Sequence, residues 1–165
     1  MKEILAKLVN FLILIEEVET LAADLYTAYQ QRFVAEDEDV AYFFYRMGVE
    51  ERGHAALAKY VKKLVKSNPQ SFVDVKGQDI EVDGLPATKA WLLGRIISIS
   101  TASVNDALTN AFELETHIGE GYGIIKLSSF VSHAPKIERL LKSLTEDKEH
   151  TGAVTAFAKA RGITL

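Results

Sequence analysis

The two halves of this 165-residue chain repeat one chemical pattern at a constant spacing. His150 lies 96 residues after His54, and an acid stands three residues before each of these histidines. Without a gap, the same spacing of 96 residues relates three further pairs: Glu51 and Asp147, Glu19 and Glu115, and Tyr26 and Tyr122. We therefore interpret the chain as two related units, each with one acid early and an acid and a histidine later.

The first unit is predicted to consist of two long helices. Residues 2–34 combine strong helix formers with a helical spacing of apolar residues, and they contain no glycine or proline. An acidic run that begins at Glu36 and a group of lysines that ends at Lys66 mark the two ends of a second helix, because these charges offset the helix dipole. Pro69 follows directly, so the second helix is predicted over 37–67.

The second unit is predicted to contain a third and a fourth helix. Helical character resumes at residue 87 and continues to residue 131, with an N-cap at Thr101 or Ser103. The fourth helix is predicted over 134–161, because Gly162 supplies a C-terminal stop.

One long connection separates the two units. Residues 68–86 contain glycines and prolines between short alternating segments, which predicts either a hairpin or an extended crossover. Four long helices with a single long crossover predict an all-α protein, a four-helix bundle that occupies residues 1–165 as one domain.

Composition excludes several classes of function. Hydrophobic residues make up 48% of the chain and charged residues 25%, which is typical of a globular protein and excludes general disorder. A net charge of −4 argues against a nucleic-acid partner, and the absence of cysteine excludes disulfides, iron–sulfur ligation and a cysteine nucleophile. The apolar run Leu8–Ile15 is too short to span a membrane, and acids follow it where a signal peptide would have small residues. We expect a soluble, cytoplasmic protein.

The repeated acids and histidines predict a dinuclear metal site. Residues three apart on a helix share a face, so a carboxylate and an imidazole at this spacing can bind the same ion. Iron and manganese both favour such donors, and this is the arrangement of the di-iron and di-manganese carboxylate bundles. The predicted ligands are Glu19, Glu51, His54, Glu115, Asp147 and His150.

Other acids compete for the ligand role. The alternatives are Glu16, Glu17, Glu50, Glu113, Glu120 and Glu146. We favour Glu19 and Glu115 because a tyrosine follows each of them seven residues later, on the same helix face. Tyr26 and Tyr122 would then hydrogen-bond a ligating carboxylate, although both also suit a hydrophobic core. No acid stands three residues before His117 or His133, so these two are not predicted as ligands.

The sequence resembles the ferritin-like superfamily, specifically its rubrerythrin-type branch. The resemblance rests on four motifs that cover all four predicted helices: Glu19 with Tyr26, Glu51-Arg-Gly-His54, Glu115 with Tyr122, and Asp147-Lys-Glu-His150. It implies a non-haem di-iron centre that reduces hydrogen peroxide or reacts with oxygen. The chain departs from the family at Asp147, where glutamate is usual and aspartate is shorter by about 1.5 Å.

The resemblance also implies partners and alternatives. Rubrerythrins carry a cysteine-ligated rubredoxin-like domain, which this cysteine-free chain lacks, so an external electron donor such as a rubredoxin is expected. A homodimer is expected, and the apolar Leu8–Ile15 run is either its surface or part of the bundle core. The alternative functions are iron oxidation and storage, oxygen-dependent hydroxylation, and a metal-free binding module.

Overall fold

The computed structural model describes residues 2–72, 80, 84–117 and 150–165. Every regular element in these ranges is helical, which confirms the all-α class. Five α-helices are joined by turns and by short 3₁₀ segments at Pro69–Phe72 and Ile99–Thr101. The helices are α1 (Lys2–Phe33), α2 (Glu38–Ser67), α3 (Gly84–Ile97), α4 (Val104–His117) and α5 (His150–Ala160).

Helices α1 and α2 correspond to the predicted ranges 2–34 and 37–67 and pack along each other. The side chain of Asp37 accepts a hydrogen bond of 3.1 Å from the backbone N–H of Val40, so the acidic run does begin α2 as a cap. Packing of α1 on α2 buries an apolar stripe from Leu8 to Phe33. The Leu8–Ile15 run therefore lies in the core, and it is not an exposed dimer surface.

The single helix predicted over 87–131 is wrong, because the chain is interrupted between α3 and α4. Here the serine- and threonine-rich stretch bonds to its own backbone instead of continuing the helix. The hydroxyl of Ser98 donates to the carbonyl of Arg95 at 3.0 Å, and Ala102 is extended with ψ of 131°. Ser103 then caps α4, since its hydroxyl accepts from the N–H of Asp106 at 3.1 Å while the Asp106 carboxylate accepts from the N–H of Ser103 at 2.9 Å. Residues 118–131 lie outside the described part.

The predicted C-terminal stop is present. Gly162 has a φ of +69°, and its N–H donates to the carbonyl of Lys159 while that of Ile163 donates to Ala158, both at 3.0 Å. This bonding pattern is a Schellman motif, and it ends α5 at Ala160. Residues 134–149 of the predicted fourth helix lie outside the described residues.

The crossover ends earlier than predicted, because α3 begins at Gly84. It contains a 3₁₀ turn over Pro69–Phe72, and both Phe72 and Ile80 are buried. The choice between a hairpin and an extended connection falls on 73–79 and 81–83, outside the described residues. No helix in the described part is long and apolar enough to cross a membrane.

Candidate metal centre

The structure brings five of the six predicted ligands to one place. Glu19 comes from the middle of α1, Glu51 and His54 from α2, Glu115 from the last turn of α4, and His150 from the start of α5. The sixth predicted ligand, Asp147, lies outside the described residues, as does Tyr122, so both stay predictions from the repeat.

The first half of the centre is a buried group of Glu19, Glu51 and His54. These side chains are 1%, 0% and 7% exposed. His54 Nδ1 lies 2.9 Å from Glu51 Oε2 and 3.6 Å from Glu19 Oε2, as the spacing of three on one helix face predicts for the pair on α2. One donor atom from each residue lies within 4.8 Å of the others, so this group could hold a metal ion.

The second half shares Glu51 with the first. His150 Nδ1 lies 3.3 Å from Glu51 Oε1 and 3.2 Å from Glu115 Oε2. The two oxygens of Glu51 therefore face different histidines, Oε2 toward His54 and Oε1 toward His150. A carboxylate placed in this way can contribute one oxygen to each of two neighbouring cations.

Tyr26 hydrogen-bonds a predicted ligand, but in the other half of the chain. Its buried hydroxyl donates to Glu115 Oε1 at 2.6 Å, which leaves Glu115 Oε2 facing His150. The sequence analysis placed Tyr26 on the same helix face as Glu19. The observed contact links α1 to α4 and fixes the orientation of the Glu115 carboxylate.

Glu50 belongs to the centre although the sequence analysis did not select it. Its Oε2 lies 2.7 Å from His150 Nε2, so the ring presents Nδ1 to Glu51 and Glu115. Consecutive helical residues do point about 100° apart, and Glu50 accordingly reaches His150 from the side away from Glu51. The available signal was the repeat itself, because Glu50 lies 96 residues before Glu146.

Basic side chains account for three of the competing acids. Glu16 pairs with Lys62, Glu17 lies 2.9 Å from Lys89, and Glu113 lies 3.3 Å from Arg95. These carboxylates are partly exposed, whereas Glu19 is fully enclosed. The choice of Glu19 over its neighbours on α1 is consistent with this difference. Glu120, Glu146 and His133 lie outside the described residues.

Burial and close packing shift the protonation of the centre. Burial raises the pKa of Glu19 to about 7, and the charge of Glu51 acts in the same direction. For His54, burial lowers the pKa, but the interactions with Glu19 and Glu51 outweigh it and raise the value to about 10. For His150, burial is likewise outweighed by Glu115, Glu50 and Glu51, which raise the pKa to about 12. Both imidazoles therefore carry a proton at neutral pH in the metal-free protein.

The donor set fits a metal better than it fits a purely structural ion-pair cluster. Within the described residues, no donor lies within hydrogen-bonding distance of the buried Glu19 Oε2, and the nearest imidazole nitrogen is 3.6 Å away. Three carboxylates and two imidazoles with no sulfur ligand match the preferences of iron and manganese.

A cavity opens beside the second half of the centre. Its volume is about 310 Å³, and it is lined on one side by Glu50 and His150 and on the other by small and apolar residues of α2 and α5. Gly152 and Ala153 form part of its wall. A molecule as small as peroxide, oxygen or a modest organic substrate fits in this volume.

The stability of the metal-free protein is expected to fall as pH rises. Protonated His54 favours the folded state fully below pH 6.5, and this contribution is lost as pH rises toward about 10; His150 acts in the same direction. Glu19, which prefers to be neutral when buried, adds a loss between about pH 4.5 and 7. Bound Mn²⁺ must displace these protons, so the Mn²⁺-induced gain in Tm should be larger at pH 8 than at pH 6. Thermal unfolding with and without Mn²⁺ measures this, and a gain independent of pH would contradict it.

Comparison of the chain with protein-family models, with curated proteins and with solved structures gave no match. The interpretation of the centre accordingly depends on the residues themselves.

Proposed function

We propose that this chain is a dinuclear non-haem metal protein of the rubrerythrin type that reduces hydrogen peroxide. The observation that carries the proposal is the position of Glu51, whose two oxygens lie 2.9 Å from His54 and 3.3 Å from His150. A shared carboxylate between two carboxylate–imidazole groups is what a pair of cations requires and what a single cation does not use.

A ferritin-like four-helix bundle is the architecture that we propose for the scaffold. Its support is the pairing of α1 with α2 and of α4 with α5. The pairs meet through the Tyr26–Glu115 bond, through a 2.8 Å hydrogen bond from Asn110 to Tyr29, and through Phe43 stacked on Phe157 at 4.3 Å.

In this proposal each ion has its own ligands and shares one. Glu19, Glu51 and His54 hold one ion, and Glu51, Glu115 and His150 hold the other. Asp147 completes the set as predicted from the repeat. The metals are two iron ions, with manganese as the alternative that suits the same donors.

Reduction of one hydrogen peroxide to two waters needs two electrons and two protons. Two ferrous ions held here would supply the two electrons. The protein contributes positioned carboxylates, an apolar enclosure that keeps bulk water from Glu19 and Glu51, and access through the cavity beside His150. Tyr26 keeps its proton on Glu115 Oε1 and so holds that carboxylate in place. An external donor such as a rubredoxin would return the two electrons.

One observation favours a second candidate, oxygen-dependent oxidation of a small bound substrate. The cavity of about 310 Å³ that reaches His150 is larger than peroxide alone requires. In this case oxygen and the substrate would both enter beside Glu50.

Rapid mixing of anaerobic, ferrous-loaded protein with peroxide tests the proposal. We expect one peroxide to oxidise two ferrous ions, and to do so faster than it oxidises the same concentration of free iron. Glu51→Gln is the matched control, since it keeps the size of the side chain. A rate equal to that of free iron would contradict the proposal, and a reaction that is faster with oxygen than with peroxide would favour the second candidate.

A further inference from the structure

A line of exposed side chains runs along the outer face of α2. At 100° per residue, positions 42, 45, 49, 56 and 60 fall on one side of the helix. Tyr42 is 63% exposed, Tyr45 and Val49 are each 44% exposed, and Tyr60 is 47% exposed. We call this line, with the exposed Ala56, the outer stripe. Four large apolar side chains on one exposed helix face exceed the scattered exposure of an ordinary surface.

The ends of the outer stripe carry opposite charges. Glu38 and Asp39 are exposed in the first turn of α2, while Lys59, Lys63 and Lys66 are exposed near its end. A second copy related by a two-fold axis brings two such helices together antiparallel, because a two-fold contact uses the same surface on both partners. The acidic end of each helix then lies against the basic end of the other.

We propose that the outer stripe is the interface of a homodimer in which two α2 helices pack antiparallel, with the two-fold axis near residue 51. In this register the residues facing each other are Tyr42 and Tyr60 of the second copy, Tyr45 and its Ala56, Val49 and its Gly53, and Glu38 and its Lys63. Large side chains thus lie opposite small ones, and each end closes with an ion pair.

The middle of the outer stripe is shaped for close approach. Gly53 has no side chain, and the guanidinium of Arg52 donates to the hydroxyl of Thr27 on α1 at 3.0 Å. This bond draws the one central charge toward α1. The helices can therefore approach at Val49 and Gly53 without burying an unpaired cation, and the contact runs for about 38 Å between the terminal ion pairs, at ~1.5 Å per residue.

The interface is independent of the metal centre. Glu51 and His54 are buried on the opposite face of α2 from Val49, so the dimer requires neither a metal nor the proposed reaction. Its test reads oligomeric state alone, and it can fail or succeed separately from the proposed function.

Sedimentation velocity of the full chain, with charge reversals at the two ends, tests the inference. Wild-type protein should be a dimer. Glu38→Lys and Lys63→Glu should each raise the dimer dissociation constant by at least about tenfold, because each places like charges together at both ends. Combining both substitutions in one chain should restore the dimer, and so should mixing the two single variants, since either route brings opposite charges together again.

Lys159→Glu is the matched control, because it makes the same charge change at an exposed position on α5. It should leave the dissociation constant unchanged. A wild-type monomer at all concentrations, a dimer insensitive to both single reversals, or a double variant that stays monomeric would overturn the interface. Circular dichroism of each variant separates loss of dimer from loss of helix.

Discussion

Glu51→Gln is expected to abolish binding at both metal positions, whereas Glu19→Gln should weaken only one of them. The reason is geometric: Glu51 Oε2 faces His54 and Oε1 faces His150, while Glu19 approaches only the His54 side. Glutamine keeps the size of the side chain but loses the negative charge that a divalent ion needs. For Glu51→Gln the loss of affinity should exceed the ~10–100-fold that is typical of residues behind the ligands.

Titration of each variant with Mn²⁺ by calorimetry measures both the number of ions bound and their affinities. Glu16→Gln is a suitable control, because Glu16 lies on α1 near Glu19 but pairs with Lys62 outside the centre. It should bind as the wild type does. If Glu51→Gln retained one unperturbed ion, the shared role of this carboxylate would be wrong.

Glu50→Gln is expected to weaken the His150 position by about 10–100-fold and to leave the His54 position unchanged. Glu50 Oε2 lies 2.7 Å from His150 Nε2 and holds the ring with Nδ1 toward Glu51 and Glu115. A glutamine there retains a hydrogen-bond acceptor but removes the charge that makes the imidazole a stronger donor. Glu50 is thus a positioning residue.

Co²⁺ absorption spectra separate this positioning role from a general loss of stability. The band that arises from the second equivalent of Co²⁺ should shift or weaken in Glu50→Gln, and Glu50→Asp should recover less than the wild type because its reach is shorter. Glu17→Gln provides the control, since Glu17 pairs with Lys89 at 2.9 Å. Equal effects on both cobalt equivalents would contradict the assignment of Glu50 to His150 alone.

The sequence predicted those parts of the fold that depend on periodicity and on helix ends. The ranges of α1 and α2, the cap at Ser103 and the stop at Gly162 all depend on local chemistry that is visible in the residues. The break before Ser103 was missed because apolar periodicity continues across it, while the competing hydroxyl–carbonyl bonds of Ser98 and Thr101 depend on backbone geometry.

The candidate centre shows a similar division. Spacing within a helix and the 96-residue repeat were enough to select Glu19, Glu51, His54, Glu115 and His150. Periodicity states which face a residue occupies but not which helix lies opposite. For that reason the partner of Tyr26 in α4 and the contact of Glu50 with α5 were visible only in the structure.

Metal analysis of protein purified without chelators tests the central claim most directly. The claim is that two groups, which share Glu51, each hold an ion. We predict two equivalents of iron or manganese per chain, either as purified or after anaerobic reconstitution with ferrous iron. A chain that binds no metal even after reconstitution would contradict the claim, and a single equivalent that survives in Glu51→Gln would contradict the shared carboxylate.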